Sequence, residues 1–184
     1  MKRAIDVFLA LVALICLMPV LSIVSLAVYL PDRGPVIFRQ RRIGLNGAEF
    51  TIFKFRSMVI DAEKRGGYST AFGDPRITPV GRFIRRTSLD ELPQIINVLK
   101  GDMSMVGPRP DVPMQREIYT EQEWVLRHKV RPGITGLAQA TVRSQGTIDE
   151  TKQLDLFYVE NANLWLDVKI IFLTVKQVLF KGGN

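Results

Sequence analysis

The stretch Thr87-Ser88-Leu89-Asp90-Glu91-Leu92-Pro93-Gln94, leading into the apolar Ile95-Ile96-Asn97-Val98-Leu99, holds two adjacent carboxylates four to eight residues after three arginines. Arg82, Arg85 and Arg86 fall at i, i+3 and i+4, so a short helix over 80–86 would put them on one face, where they repel one another without a counter-ion. A helix start offers orphan N–H groups to a phosphate, and arginines suit the same ligand. A carboxylate set among such groups can attack phosphorus or hold a magnesium ion. A plain structural reading competes with this one. Ser88 and Glu91 stand in the S-x-x-E spacing of a capping box, and Asp90 would then only complement the helix dipole. Local spacing leaves both readings open.

Two further arginine-bearing turns follow. Gly107-Pro108-Arg109-Pro110 is a rigid turn that presents Arg109 between two fixed φ angles, and Arg131-Pro132-Gly133-Ile134-Thr135-Gly136 is a stiff glycine-rich loop with an arginine at its entrance. Such arginines suit a phosphate or a planar base, and the three arginine-bearing segments are expected to converge. The single cysteine, Cys16, and the single histidine, His128, exclude disulfides and Cys/His metal sites, so any metal is a hard ion held by oxygen.

The elements that must position these groups follow from punctuation. Asn46-Gly47 signals a two-residue hairpin turn between Val36–Ile43 and Phe50–Phe55. In Phe53-Lys54-Phe55-Arg56, strand alternation puts the two aromatics on one face and the two cations on the other, which explains the pattern more simply than nucleic-acid binding does. Residues 66–81, rich in Gly, Pro, Ser and Thr, read as an exposed loop.

The chain's first 30 residues are of another kind. From Val7 to Leu30 it runs 24 residues without a charge, interrupted by Pro19. The uncut length would span a hydrocarbon core, but a break at Pro19 leaves arms of roughly 20 and 15 Å, neither long enough. Basic residues flank both ends, Lys2 and Arg3 before and Arg33, Arg39, Arg41 and Arg42 after, so a spanning helix would put a basic flank outside whichever way it inserted. A re-entrant segment keeps both flanks cytoplasmic. A spanning helix and a signal peptide are the alternatives. The net charge of +7 sits in residues 31–86, with 12 Lys or Arg against 5 acids, while the rest balances at 13 of each. That placement suits an anionic membrane surface or phosphate-bearing substrates. Near the C-terminus Trp165, Val168, Phe172, Val175 and Leu179 recur at helical spacing, which fits an interfacial amphipathic helix or core packing equally. The expectation is a membrane helix over 1–30 and one mostly helical α+β domain with a β-hairpin over 31–184.

Four stretches carry a resemblance: Phe38 to Met58, Asp74 to Gln94, Gly101 to Pro110, and Arg131 to Gln139. In order and spacing they resemble the bacterial sugar transferases known as monotopic phosphoglycosyl transferases, and the short length is similar to minimal members of that family. The resemblance implies transfer of a sugar 1-phosphate from a UDP-sugar to a polyprenol phosphate, with release of UMP, at the cytoplasmic face of the bacterial inner membrane. It implies Asp90 as nucleophile, forming an aspartyl phosphosugar and sitting beside Mg2+, with Glu91 as assisting base. It matches Arg85 to a phosphate-binding arginine and Pro108-Arg109-Pro110 to the segment at the uridine end, with Lys54 and Arg143 as weaker assignments. The proline break at Met18-Pro19 also matches, although the family often has Ser where this chain has Met18. After Gly136 the family's Trp-Ala-Gln-Val-Asn-Gly-Arg is replaced by Leu137-Ala138-Gln139-Ala140-Thr141-Val142-Arg143, which leaves the sugar open. No nucleic-acid partner is expected, and a homodimer is left open. Two rivals stand beside this reading: a membrane-anchored, non-enzymatic binder of anionic lipid or nucleic acid, and an enzyme in which the polyprenol phosphate attacks directly without a covalent step.

Overall fold

The uncharged run folds as one long helix, α1 (Lys2–Tyr29), with Pro19 inside it. The computed structural model describes residues 1–66, 73–142 and 146–181. Two separate arms were expected at Pro19, but the helix carries on through it. The proline's cost of about 3 kcal/mol is opposed by apolar packing on both sides of it. Before the proline Ala10, Ala13, Leu14 and Leu17 lie against Ile52, Ile95, Val98 and Met103. After it Val20, Leu21, Val24 and Val28 lie against Phe55 and Ile84. The Ser22 and Ser25 hydroxyls donate to the carbonyls of Met18 (3.0 Å) and Leu21 (2.7 Å). The outer stripe is uncovered, with Phe8, Ile15 and Ile23 exposed by 65%, 71% and 68%. Among the described residues α1 is the one helix long and apolar enough to cross a membrane.

Both ends of α1 are fastened to the rest of the chain. Lys2 pairs with Asp167 (2.5 Å), Arg3 donates to the carbonyls of Val98 (2.6 Å) and Leu99 (3.1 Å), and buried Asp6 accepts from Ser104 Oγ (2.9 Å) and the Met105 N–H (3.0 Å). At the other end Arg56 donates to the Val28 carbonyl (3.1 Å) and grips Asp32 with both guanidinium nitrogens (2.8 and 2.6 Å).

The hairpin forms as β1 (Ile37–Ile43) and β2 (Glu49–Phe55), antiparallel with Phe38 opposite Lys54 and Arg42 opposite Phe50. Asn46 (φ 55°) and Gly47 (φ 77°) are both left-handed and Ala48 N–H closes on Leu45 O (3.1 Å), so the predicted turn is present. Strand pairing ends at Ile43 and Glu49, which makes the whole connection longer than two residues. A short α2 (Ala62–Arg65) leads toward α3 (Pro79–Arg86). Thr78 caps α3 by accepting from Gly81 N–H (2.9 Å), with Pro79 at the first turn. Gly81 lets α3 close on the hairpin's exit, since a Cβ there would stand 1.8 Å from the Ser57 carbonyl oxygen.

A single 3₁₀ turn, Leu89–Glu91, precedes α4 (Gln94–Lys100), which Gly101 ends in the left-handed region (φ 95°). β3 (Ser104–Val106) runs parallel to β4 (Gly133–Thr135), with α5 (Glu121–Arg127) between them in sequence. The glycine-rich segment 131–136 is therefore a strand in part, not only a loop. Its backbone pairs because Gly107 and Gly133 let the two chains approach, a Cβ on Gly107 falling 2.3 Å from the Arg131 carbonyl oxygen. α6 (Leu137–Thr141), α7 (Ile148–Asn161) and α8 (Leu164–Lys181) complete a mostly helical α+β fold, and a third core joins Val106, Ala140, Tyr158 and Ile170. In α8 the packed face is Leu166, Asp167, Ile170 and Leu173, whereas the stripe Trp165, Val168, Phe172 and Val175 is 80%, 56%, 67% and 50% exposed. Of the two readings for that stripe, core packing is excluded for these four residues.

Candidate active site

Asp90 and Glu91 lie on the 3₁₀ turn between α3 and α4, where the second strand of the hairpin and the Pro-Arg-Pro turn meet them. The capping box does not form. Ser88 is itself left-handed (φ 57°) and makes no capping bond. Glu91 is used elsewhere: one oxygen takes both Lys54 Nζ (2.7 Å) and Arg109 Nη2 (3.0 Å). Burial alone would raise its pKa, but the two cations outweigh that and hold it at about 2.

Asp90 behaves in the opposite way. Its carboxylate has no hydrogen bond or ion pair among the described residues, and its pKa is pushed up to about 6 by burial and by neighbouring Glu91, against the pull of Lys54, Arg85 and Arg109. Two adjacent carboxylates thus differ in role, one clamped and charged, the other free. Lys54, a weak assignment by sequence, is 15% exposed at its side chain and sits at the centre of the cluster. Burial, then Arg109, lowers its pKa, against the pull of Glu91.

Arg109 arrives on a fixed support. Pro108 and Pro110 are buried, and beneath them the buried guanidinium of Arg127 pairs with Asp111 and with Asp155 (2.6 Å) while donating to the Arg109 carbonyl (2.8 Å). Arg42 joins from β1, donating to the Pro110 carbonyl (2.9 Å) and Gln40 (2.6 Å). Burial and then Arg109 lower its pKa to about 10, still charged at neutral pH. Arg42, Lys54, Gln94, Arg109 and Pro110 line a cleft beside the acidic pair. Four cations, Arg42, Lys54, Arg85 and Arg109, therefore act on two carboxylates, a balance suited to an anionic diphosphate.

The expected convergence of three arginine segments holds for two. Arg131 spends its guanidinium on the Gly101 carbonyl (2.8 Å), at the far end of α4 from Glu91. Arg143 lies outside the described residues. Met18 and Pro19 are exposed on the outer face of α1. Arg42 was read only as a membrane-flanking charge and the Arg127 brace was not singled out, although strand alternation carried from β2 to β1 would have put Arg42 on the face of Lys54.

Among the described residues no group of three or more His, Cys, Asp or Glu could hold a metal ion alone. The free, hard oxygens of Asp90 nonetheless fit Mg2+, which commonly takes one or two carboxylates and fills its remaining positions with substrate phosphates and water.

Comparison with known proteins bears on what such a site does. The family model for bacterial sugar transferases matches residues 1–181. An undecaprenyl-phosphate glucose phosphotransferase of Komagataeibacter xylinus is 47% identical, over 97% of this chain and 36% of that protein. A UDP-N-acetylgalactosamine-undecaprenyl-phosphate N-acetylgalactosaminephosphotransferase of Aeromonas hydrophila is 40% identical, over 99% of this chain and 44% of that protein. The uncharacterized sugar transferase EpsL of Bacillus subtilis is 42% identical, over 100% of this chain and 89% of that protein. The chain thus spans less than half the length of the first two and nearly all of the third.

Proposed function

Because the chain belongs to the bacterial sugar transferase family, we propose that it moves a sugar 1-phosphate from a UDP-sugar to a polyprenol phosphate and releases UMP. The observation that carries this reading is the free carboxylate of Asp90 beside a Glu91 clamped by Lys54 and Arg109. Unpaired among the described residues and under the pull of Lys54, Arg85 and Arg109, the Asp90 carboxylate suits a nucleophile on a phosphorus whose charge those cations neutralise.

In the first half-reaction an Asp90 oxygen attacks the sugar-bearing phosphorus, the bond to the bridging oxygen breaks, and UMP leaves with the electron pair. In the second, an oxygen of the polyprenol phosphate attacks the same phosphorus and the Asp90 carboxylate departs unchanged. Arg109 and Arg42 face the cleft and are assigned to the diphosphate and the nucleotide end; Arg85, which does not line that cleft, acts on Asp90 from α3. Mg2+, held by Asp90, would neutralise charge on the phosphoryl oxygens. The relatives are named for different sugars, so the donor is given only as a UDP-sugar.

The proposed seat is the cytoplasmic face of the inner membrane. The outer stripe of α1 and the exposed stripe of α8 would enter the lipid, with both ends of α1 on the cytoplasmic side because one domain holds them. Asp90→Asn is expected to abolish both UMP release and covalent labelling from a UDP-sugar carrying labelled phosphorus. Undiminished labelling in that variant would overturn the nucleophile assignment, and the absence of any labelled enzyme with donor alone during normal turnover would favour direct attack by the lipid phosphate.

A further inference from the structure

Resting on the reading above, we infer that the exposed face of α3 is the acceptor's subsite, where the phosphate of the polyprenol lipid is collected from the membrane and passed to Asp90. The site has two cationic flanks. On one, Lys54, Arg109 and Arg42 border the cleft and are committed to Glu91 or to backbone carbonyls. On the other stands α3, whose Arg82, Arg85 and Arg86 make no ion pair among the described residues. The acceptor comes from the membrane, and α3 is seated on α1 with Arg82 and Arg86 left unpaired among the described residues, whereas Lys54, on β2, which also packs against α1, is committed to Glu91.

Geometry decides what α3 presents. Val80 and Ile84 seat it on the second half of α1, against Val20, Leu21 and Val24, and Ile84 is 1% exposed. At about 100° per residue, Phe83 and Arg85 fall on opposite flanks of that seat, with Arg82 and Arg86 between them on the outer side. Phe83 is 54% exposed, an apolar side chain beside arginines and next to a helix whose own outer face is apolar. Arg85 is half-buried and acts on Asp90. Around the helix, then, run an apolar contact, two free guanidinium groups, and a third at the nucleophile. That order fits a lipid whose chain lies in the membrane and whose phosphate must reach Asp90. The S-x-x-E alternative does not compete here, since Ser88 makes no cap.

The test separates the two half-reactions in neutral detergent micelles that contain no anionic phospholipid. The double variant Arg82→Gln/Arg86→Gln, and separately Phe83→Ser, should raise the KM for undecaprenyl phosphate at least tenfold. The rate of donor-only labelling and the KM for the UDP-sugar should stay within about twofold of the parent. Arg82→Lys/Arg86→Lys, which keeps the charge, should shift the acceptor KM less than threefold, and this guards against a folding defect. An unchanged acceptor KM in the Gln variant overturns the proposal. So does a defect seen only in vesicles rich in anionic phospholipid, which would make α3 a general membrane contact. If the parent shows no covalent labelling, the nucleophile reading fails, yet the acceptor KM comparison still decides this one.

Discussion

Glu91 shows how neighbours set a residue's chemistry. The family resemblance casts it as a base toward the lipid phosphate, but a carboxylate held at about 2 is poorly suited to that work. A phosphate monoester loses its second proton near pH 6, so taking that proton onto Glu91 would run uphill by about four pH units, or roughly 5 kcal/mol. In the structure Glu91 is instead paired with both Lys54 and Arg109, beside Asp90. The Glu91→Gln variant should therefore slow both half-reactions by a similar factor, on the order of 10 to 100, because the same clamp serves each. Rapid-quench measurement of donor-only labelling and of transfer from the preformed intermediate would check this. A loss confined to the second step would restore the role of base.

At the scale of elements, the reach of sequence depended on whether contacts are local. The acidic pair, the Pro-Arg-Pro turn and the α3 arginines are contiguous motifs, and the hairpin announces itself by Asn46-Gly47, so all were legible. The support under Arg109 was not. Arg127 on α5, Asp111 directly after the Pro-Arg-Pro turn and Asp155 on α7 meet only through tertiary packing, and no local period marks a cation that will be buried between two acids. The fate of Ser88 and Glu91 was misleading for the same reason, because a spacing shared by caps and active sites is resolved only by what packs against it. The brace carries its own prediction. Arg127→Gln strands Asp111 and Asp155 without their cation, a loss of about 3 to 5 kcal/mol that should lower the melting temperature by roughly 10 °C. It should also raise the KM for the UDP-sugar through Arg109. In an Arg109→Ala background the stability loss should persist while the further KM increase disappears; persistence of both would mean that Arg127 acts on the donor by another route.

Across the whole molecule, the grip on both ends of α1 constrains how the protein can sit in a bilayer. A helix of 28 residues is about 42 Å long, and a simple span would carry Lys2 to the opposite surface from Asp32. Here Lys2, Arg3 and Asp6 are bound to Asp167, α4 and Ser104, while Val28 and Asp32 are bound by Arg56. A simple span would have to break every contact at one end, exposing buried Asp6 and Asp167 and uncovering the apolar seat of α1 on α4. Lying along the domain, α1 instead offers lipid a continuous outer stripe while the polar contacts at its ends stay on the domain's side. Pro19 itself is exposed, so its ring displaces nothing packed against α1, while the apolar contacts on either side of it hold the helix in place. The two topologies differ at residue 4. With Cys16→Ser removing the native thiol, single cysteines at the exposed positions Ala4→Cys and Arg33→Cys should both react with a membrane-impermeant maleimide in inverted vesicles, and neither should react in intact spheroplasts. Labelling of position 4 from the outside would mean that the Lys2–Asp167 pair is broken in the membrane and that α1 spans after all.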